Sequence, residues 1–154
     1  KLETIGDIGS LPKDVQKKLK EAKEKTAGNK RTTVVLALSY SARWEINKAV
    51  KTIADKVSGG QLSASDINED TLSAHLETAN IPDPELLIRT SGEQRLSNFL
   101  LYQLAYAELY FTPKLWPDFR KNDFFEAIMA FQGRERRFGK ISDQLQKNNS
   151  EENA

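Results

Sequence analysis

Three short apolar runs constrain this chain more than any other feature: TTVVLALSY (Thr32–Tyr40), LLIRT (Leu86–Thr90) and ELYFT (Glu108–Thr112). The first is β-branched and almost continuously hydrophobic, which suits a strand buried on both faces, as strands of parallel sheets are. Parallel neighbours need long crossovers, and stretches of helical character separate the runs. KLETIGD opens like the end of another strand, with Leu2 and Ile5 apolar and Gly6-Asp7 as punctuation. Strands alternating with helices predict an α/β fold, a mainly parallel central sheet flanked by helices.

The expected helices are Asp14–Thr26 and Arg43–Val57, then a short acidic helical turn and a second helix within Ser63–Ala79. The face expected to be buried on Arg43–Val57 is Trp44, Ala49, Val50, Ile53, Ala54 and Val57. A buried helix is expected over Asn98–Tyr106, and a long, increasingly basic one from Asp123 onward. Residues 1–140 read as one domain, or a portion of one, and 141–154 as a polar helix end and flexible tail.

Composition excludes several classes. Lys and Arg number 23 against 22 Asp and Glu, a net charge of +1, so coating a nucleic acid is a poor fit. There are no cysteines, which excludes a disulfide scaffold and thiolate metal sites and fits a reducing compartment. No apolar run reaches transmembrane length. The chain opens Lys1-Leu2 without Met, so a piece of a longer protein is an open reading.

Ligands of parallel α/β sheets sit at the carboxyl ends of strands. Arg89 lies at the end of LLIRT, and Arg95 and Ser97 follow in a Gly-containing loop. A guanidinium fork suits two phosphate oxygens, and Ser97 can donate one more hydrogen bond. The bland reading is a solvated loop whose arginines pair with Glu93 and other carboxylates; on chemistry alone both stay open. Glu108 starts an apolar strand, where a carboxylate needs a partner or a metal. Mg²⁺, bound by one or two carboxylates plus phosphate oxygens, is one candidate. A structural ion pair with Arg89 or Arg95 is the other. RERRFGK (Arg134–Lys140) reads by itself as a solvated basic helix end. No Ser-His-Asp set or Cys-His pair can be assembled, and His75 has no partner histidine at metal spacing.

LLIRTSGEQRLSNFLLYQLAYAELYFTPKLWPDF followed by RERRFG resembles the cis-prenyltransferase family, above all its bacterial undecaprenyl diphosphate synthase (isoprenyl transferase) branch. IGDIGSLP, the TAGN of Thr26–Asn29 and SYSARWEI match as well, so the likeness runs from about Leu2 to Gly139. The resemblance implies an enzyme that condenses isopentenyl diphosphate with an allylic diphosphate, farnesyl diphosphate being the expected primer, to make a long-chain polyprenyl diphosphate. That product is a carrier-lipid precursor for cell-wall synthesis, and Mg²⁺ is the implied cofactor. Arg89, Arg95 and Ser97 correspond to the grip on the isopentenyl diphosphate headgroup, and Glu108 to the carboxylate associated with Mg²⁺. Arg137 and Gly139 match an Arg-x-Gly motif that reaches the partner subunit's site in a homodimer, which overturns the bland reading of RERRFGK.

Two departures stand out. Gln94 replaces a histidine found near the metal in some members, and Ser39 with Ser41-Ala42 replaces an Asn and Gly-Gly around the tyrosine. The family's amino-terminal Asp-Gly-Asn-Gly-Arg-Trp motif, with the key catalytic aspartate, and its flexible catalytic loop are missing. The chain therefore resembles the carboxyl-terminal portion of the enzyme, the half that holds isopentenyl diphosphate, and is expected to be inactive alone. Val34 and Leu36 are expected either to line the tunnel for the growing chain or to be plain core. The implied location is cytoplasmic, or peripheral at the membrane through the lipid product. The competing reading is a non-catalytic partner subunit or diphosphate-binding scaffold.

Overall fold

The computed structural model describes residues 1–134. The chain divides into two compact units, one comprising Lys1–Asp83 with Leu96–Tyr102, the other Pro84–Arg95 with the chain from Gln103 onward.

In the first unit, β1 (Leu2–Ile5) pairs in parallel with β2 (Val34–Ala37), Leu2 facing Val34 and Ile5 facing Ala37. The crossover between them is α1 (Lys13–Thr26), whose Thr26 hydroxyl accepts the Leu2 amide at 2.9 Å. Lys23 of α1 reaches Glu3 of β1 at 2.9 Å and Lys1 reaches it at 2.8 Å. Those two ammonium groups, Lys1 first, hold the Glu3 carboxyl down at about 2. α2 (Ala42–Ser58) follows β2, and α3 (Glu69–Ser73) is a single short helix begun by an Asn68–Thr71 capping box.

In the second unit, β3 (Leu86–Arg89) pairs in parallel with β4 (Glu108–Phe111), Leu86 facing Glu108 and Arg89 facing Phe111. α4 (Lys121–Gln132) closes the described chain and buries Ala127. Parallel pairing flanked by helices is thus the observed architecture, organised among the described residues as two two-stranded sheets.

Three local expectations are corrected. β2 is shorter than Thr32–Tyr40 and is not buried on both faces: Val34 is 52% and Leu36 37% exposed. Among the described residues it pairs only with β1, and the exposure of Val34 and Leu36 means that neither is plain core. The stretch Asn98–Tyr106 is a series of turns rather than a helix. Ser97, Asn98 and Leu100 have φ of 50°, 62° and 45°, a left-handed path that a right-handed helix cannot follow. On α2 the buried residues are Ala42, Glu45, Ala49 and Ile53, while Val50 is exposed. Trp44 is half-buried and carries the Lys48 ammonium 5.1 Å from its ring centroid.

Candidate diphosphate-binding site

Arg89 closes β3, and its main-chain carbonyl accepts the Thr112 amide at 2.9 Å. Its side chain is half-buried, and its guanidinium has no hydrogen-bond or ion-pair partner among the described residues. Beyond it the chain turns through two left-handed residues, Ser91 (φ 70°) and Gly92 (φ 69°). Their amides are pinned to the segment after β4, Ser91 N to Lys114 O at 2.7 Å and Gly92 N to Thr112 O at 2.9 Å. The loop is therefore fixed by backbone bonds on a rigid ladder, the arrangement that holds a ligand-binding side chain in place. Arg95 leaves the same loop 65% exposed and ion-paired with Glu93, the pairing that the bland reading foresaw for it. Gln94 is exposed in that loop.

Glu108 begins β4, at the other end of the ladder. The register sets it opposite Leu86, three residues before Arg89, a separation of about 10 Å along the strand. Alternation puts the two side chains on opposite faces of the pair. The partner of Glu108 is neither Arg89 nor Arg95: Arg134 Nη1 donates to its Oε2 at 2.7 Å and to the Leu109 carbonyl at 2.9 Å. Sequence reasoning placed Arg134 in a basic cluster without foreseeing this. The missed signal was an arginine just past α4, within reach of the strand that precedes that helix.

A divalent ion finds one carboxylate here and little else. No group of three or more His, Cys, Asp or Glu that could hold a metal comes together among the described residues. Glu108 would offer Mg²⁺ a single carboxylate, one oxygen of which already accepts from Arg134.

Ser97 belongs to the first unit and is exposed. Arg137 and Gly139 lie outside the described residues. A residue that sequence reasoning missed altogether is Glu45, 1% exposed on α2. Its Oε2 accepts the Tyr40 hydroxyl at 2.5 Å and its Oε1 the Glu77 amide at 2.8 Å. Glu77 in turn accepts Lys48 Nζ at 2.6 Å and the Gly6 amide at 3.3 Å. Burial first, then the hydrogen bond to Glu45, raises the Tyr40 pKa well above the usual phenol range. This network ties α2 to the carboxyl ends of β1 and β2, the edge where such sheets place ligands.

Comparison with known proteins shows the family of the chain. Residues 1–139 match the prenyltransferase family model described as "Putative undecaprenyl diphosphate synthase". The chain is 52% identical over 145 residues to an isoprenyl transferase of Porphyromonas gingivalis, covering 94% of this chain and 57% of that protein. It is 48% identical over 145 residues to the farnesyl-diphosphate-specific ditrans,polycis-undecaprenyl-diphosphate synthase of Vibrio vulnificus, covering 94% and 58%. Among solved structures, lavandulyl diphosphate synthase from Lavandula x intermedia, in complex with dimethylallyl diphosphate, superposes with a TM-score of 0.88 at 44% identity. That match covers 91% of this chain and 60% of the plant enzyme. The chain thus spans somewhat more than half the length of the relatives it matches.

Proposed function

The chain belongs to the undecaprenyl diphosphate synthase family of prenyltransferases, and from that premise we propose that it supplies the isopentenyl diphosphate half of a cis-prenyltransferase. The reaction joins isopentenyl diphosphate to an allylic diphosphate, farnesyl diphosphate being the proposed primer, and repeats to give a long-chain polyprenyl diphosphate. The observation that carries the reading is Arg89: a solvent-facing guanidinium on a half-buried side chain at the carboxyl end of a parallel strand, with no acceptor among the described residues. That solvent-facing fork is free to take a diphosphate oxygen pair.

In each cycle the π electrons of the isopentenyl double bond form a bond to the allylic carbon, the allylic carbon–oxygen bond breaks, and diphosphate departs. A proton then leaves the new cation and a cis double bond remains. Arg89, Arg95 and Ser97 hold the isopentenyl diphosphate headgroup and orient the nucleophile, while the Arg95–Glu93 pair opens to admit it. Glu108 is the carboxylate we assign to Mg²⁺, which supplies charge neutralisation for the departing diphosphate when bound. We further assign Arg137 and Gly139 to the neighbouring subunit's site in a homodimer.

Steady-state kinetics of the natural gene product test the assignment. Arg89→Ala is expected to raise the KM for isopentenyl diphosphate about ten- to a hundredfold, the loss of one charged hydrogen-bonding group. An unchanged KM in both Arg89→Ala and Arg95→Ala would overturn it. Diphosphate binding by the natural gene product with no turnover would favour the partner-subunit reading instead.

A further inference from the structure

We propose that Asn98, with Tyr40 and Glu45 behind it, is a positioning residue that sets Ser97 for the isopentenyl diphosphate headgroup; this rests on the diphosphate-binding role given to Ser97 above. Ser97, Asn98 and Leu100 all sit at positive φ, 50°, 62° and 45°. Asparagine tolerates that conformation; serine and leucine adopt it only where their surroundings impose it. Two clamps impose it here.

The first clamp is Asn98 itself. Its main-chain carbonyl accepts the Ala42 amide at 2.8 Å, and its Oδ1 accepts the Arg43 amide at 2.9 Å. These are the first two amides of α2, and the third, Trp44 N, goes to the Ser41 hydroxyl at 3.4 Å. The amino terminus of α2 is thereby satisfied from within the chain and serves as an anchor for the loop, not as an anion site of its own. The second clamp is Phe99, whose ring meets Tyr40 edge-on at 5.8 Å and 80°. Tyr40 is held by its 2.5 Å hydrogen bond to the buried Glu45. Both oxygens of Glu45 are engaged, so the Tyr40 ring has little freedom to turn, and Phe99 with it. The two residues that follow Ser97 are thus fixed independently, which aims its hydroxyl without either clamp needing to touch a ligand. Small errors in such aim are costly for binding and reaction.

The test uses the natural gene product with Ser97→Ala, Asn98→Ala, Asn98→Gly, Tyr40→Phe and the double variant Ser97→Ala/Asn98→Ala. The readouts are the KM of isopentenyl diphosphate, the KM of the allylic substrate and the melting temperature. Asn98→Ala is expected to raise the isopentenyl diphosphate KM about three- to tenfold and leave the allylic KM unchanged. Asn98→Gly keeps the left-handed freedom but loses the acceptor for Arg43, so it should fall between wild type and Asn98→Ala. Tyr40→Phe should raise the same KM by a smaller factor. The double variant should be no worse than Ser97→Ala, because Asn98 acts through Ser97; a purely structural role would add its own cost. If Ser97→Ala raises the KM but the Asn98 and Tyr40 variants do not, or if the double variant is additive, the positioning role is overturned alone. If Ser97→Ala itself changes nothing, the diphosphate role of Ser97 falls and this inference with it. Should Asn98→Ala give no folded protein, Asn98→Gly and Tyr40→Phe carry the same comparison, and an unchanged KM in both overturns the proposal.

Discussion

Gly6 shows how tightly single residues are specified at the strand ends. It sits at φ 104°, and a β-carbon there would meet the Leu38 carbonyl oxygen at 2.2 Å, a backbone atom that cannot swing aside. Gly6→Ala should cost about 2–4 kcal/mol, strain and overlap together, read as a lower midpoint in urea denaturation; an unshifted midpoint would refute it. Tyr40 offers a pH test. Its pKa is raised in the folded chain, so the fold holds this proton more tightly than the unfolded chain does. The stability gained is present below the ordinary tyrosine value, near pH 10, and is lost as pH rises above it. Tyr40→Phe should therefore flatten the alkaline fall in melting temperature, and an equally steep fall would refute the prediction. The place of Arg89 at the end of β3 was legible because the apolar run LLIRT stops there and Gly92 follows three residues on. Glu45 was not, because a charged residue on a helix reads as solvent-facing. Its spacing from Ala42, Ala49 and Ile53, which share one helical face, was the signal available.

The parallel strand pairs were readable from β-branched runs separated by helical stretches, and β3 and β4 fall within the expected limits. The expected helix over Asn98–Tyr106 misled because its Leu, Gln and Ala content favours helix. A non-local demand prevailed: Asn98 caps α2, whose first residues lie more than fifty positions earlier in the chain, and it does so in a left-handed conformation. Propensity carries no record of such a partner. β2 misled in the same way, since a two-sided burial pattern needs covering elements that the run itself does not encode. Another element-scale link is testable. Arg134 joins the end of α4 to the start of β4 through Glu108 and the Leu109 carbonyl. Both side chains of the pair are partly exposed, 37% and 27%, so the ion pair is screened and contributes about 0–1 kcal/mol. Arg134→Gln should lower the melting temperature by no more than a few degrees and release Glu108; a large loss of stability would show that the link carries more than a screened pair does.

At the scale of the whole molecule, the core is slender: seven hydrophobic residues are buried among the described residues, and three of them are alanines. Val34 and Leu36 present an apolar face on a two-stranded sheet, the kind of surface that drives self-association. The 154-residue chain by itself is therefore expected to sediment as oligomers, and a monodisperse monomer would count against that. It is also expected to make no polyprenyl product. Its proposed headgroup arginines, Arg89 and Arg95, suit one diphosphate. It spans 57% of the length of an isoprenyl transferase to which it is 52% identical. A two-substrate condensation depends on aligning both partners, an advantage that reaches about 7–11 kcal/mol, and a chain that positions one of them forgoes most of it. Adding the amino-terminal portion of such a relative in trans should restore turnover if the missing alignment is the only deficit. Radiolabelled isopentenyl diphosphate with farnesyl diphosphate and Mg²⁺ distinguishes the cases: long-chain product from the 154-residue polypeptide alone would mean that it positions both substrates, contrary to the half-site reading.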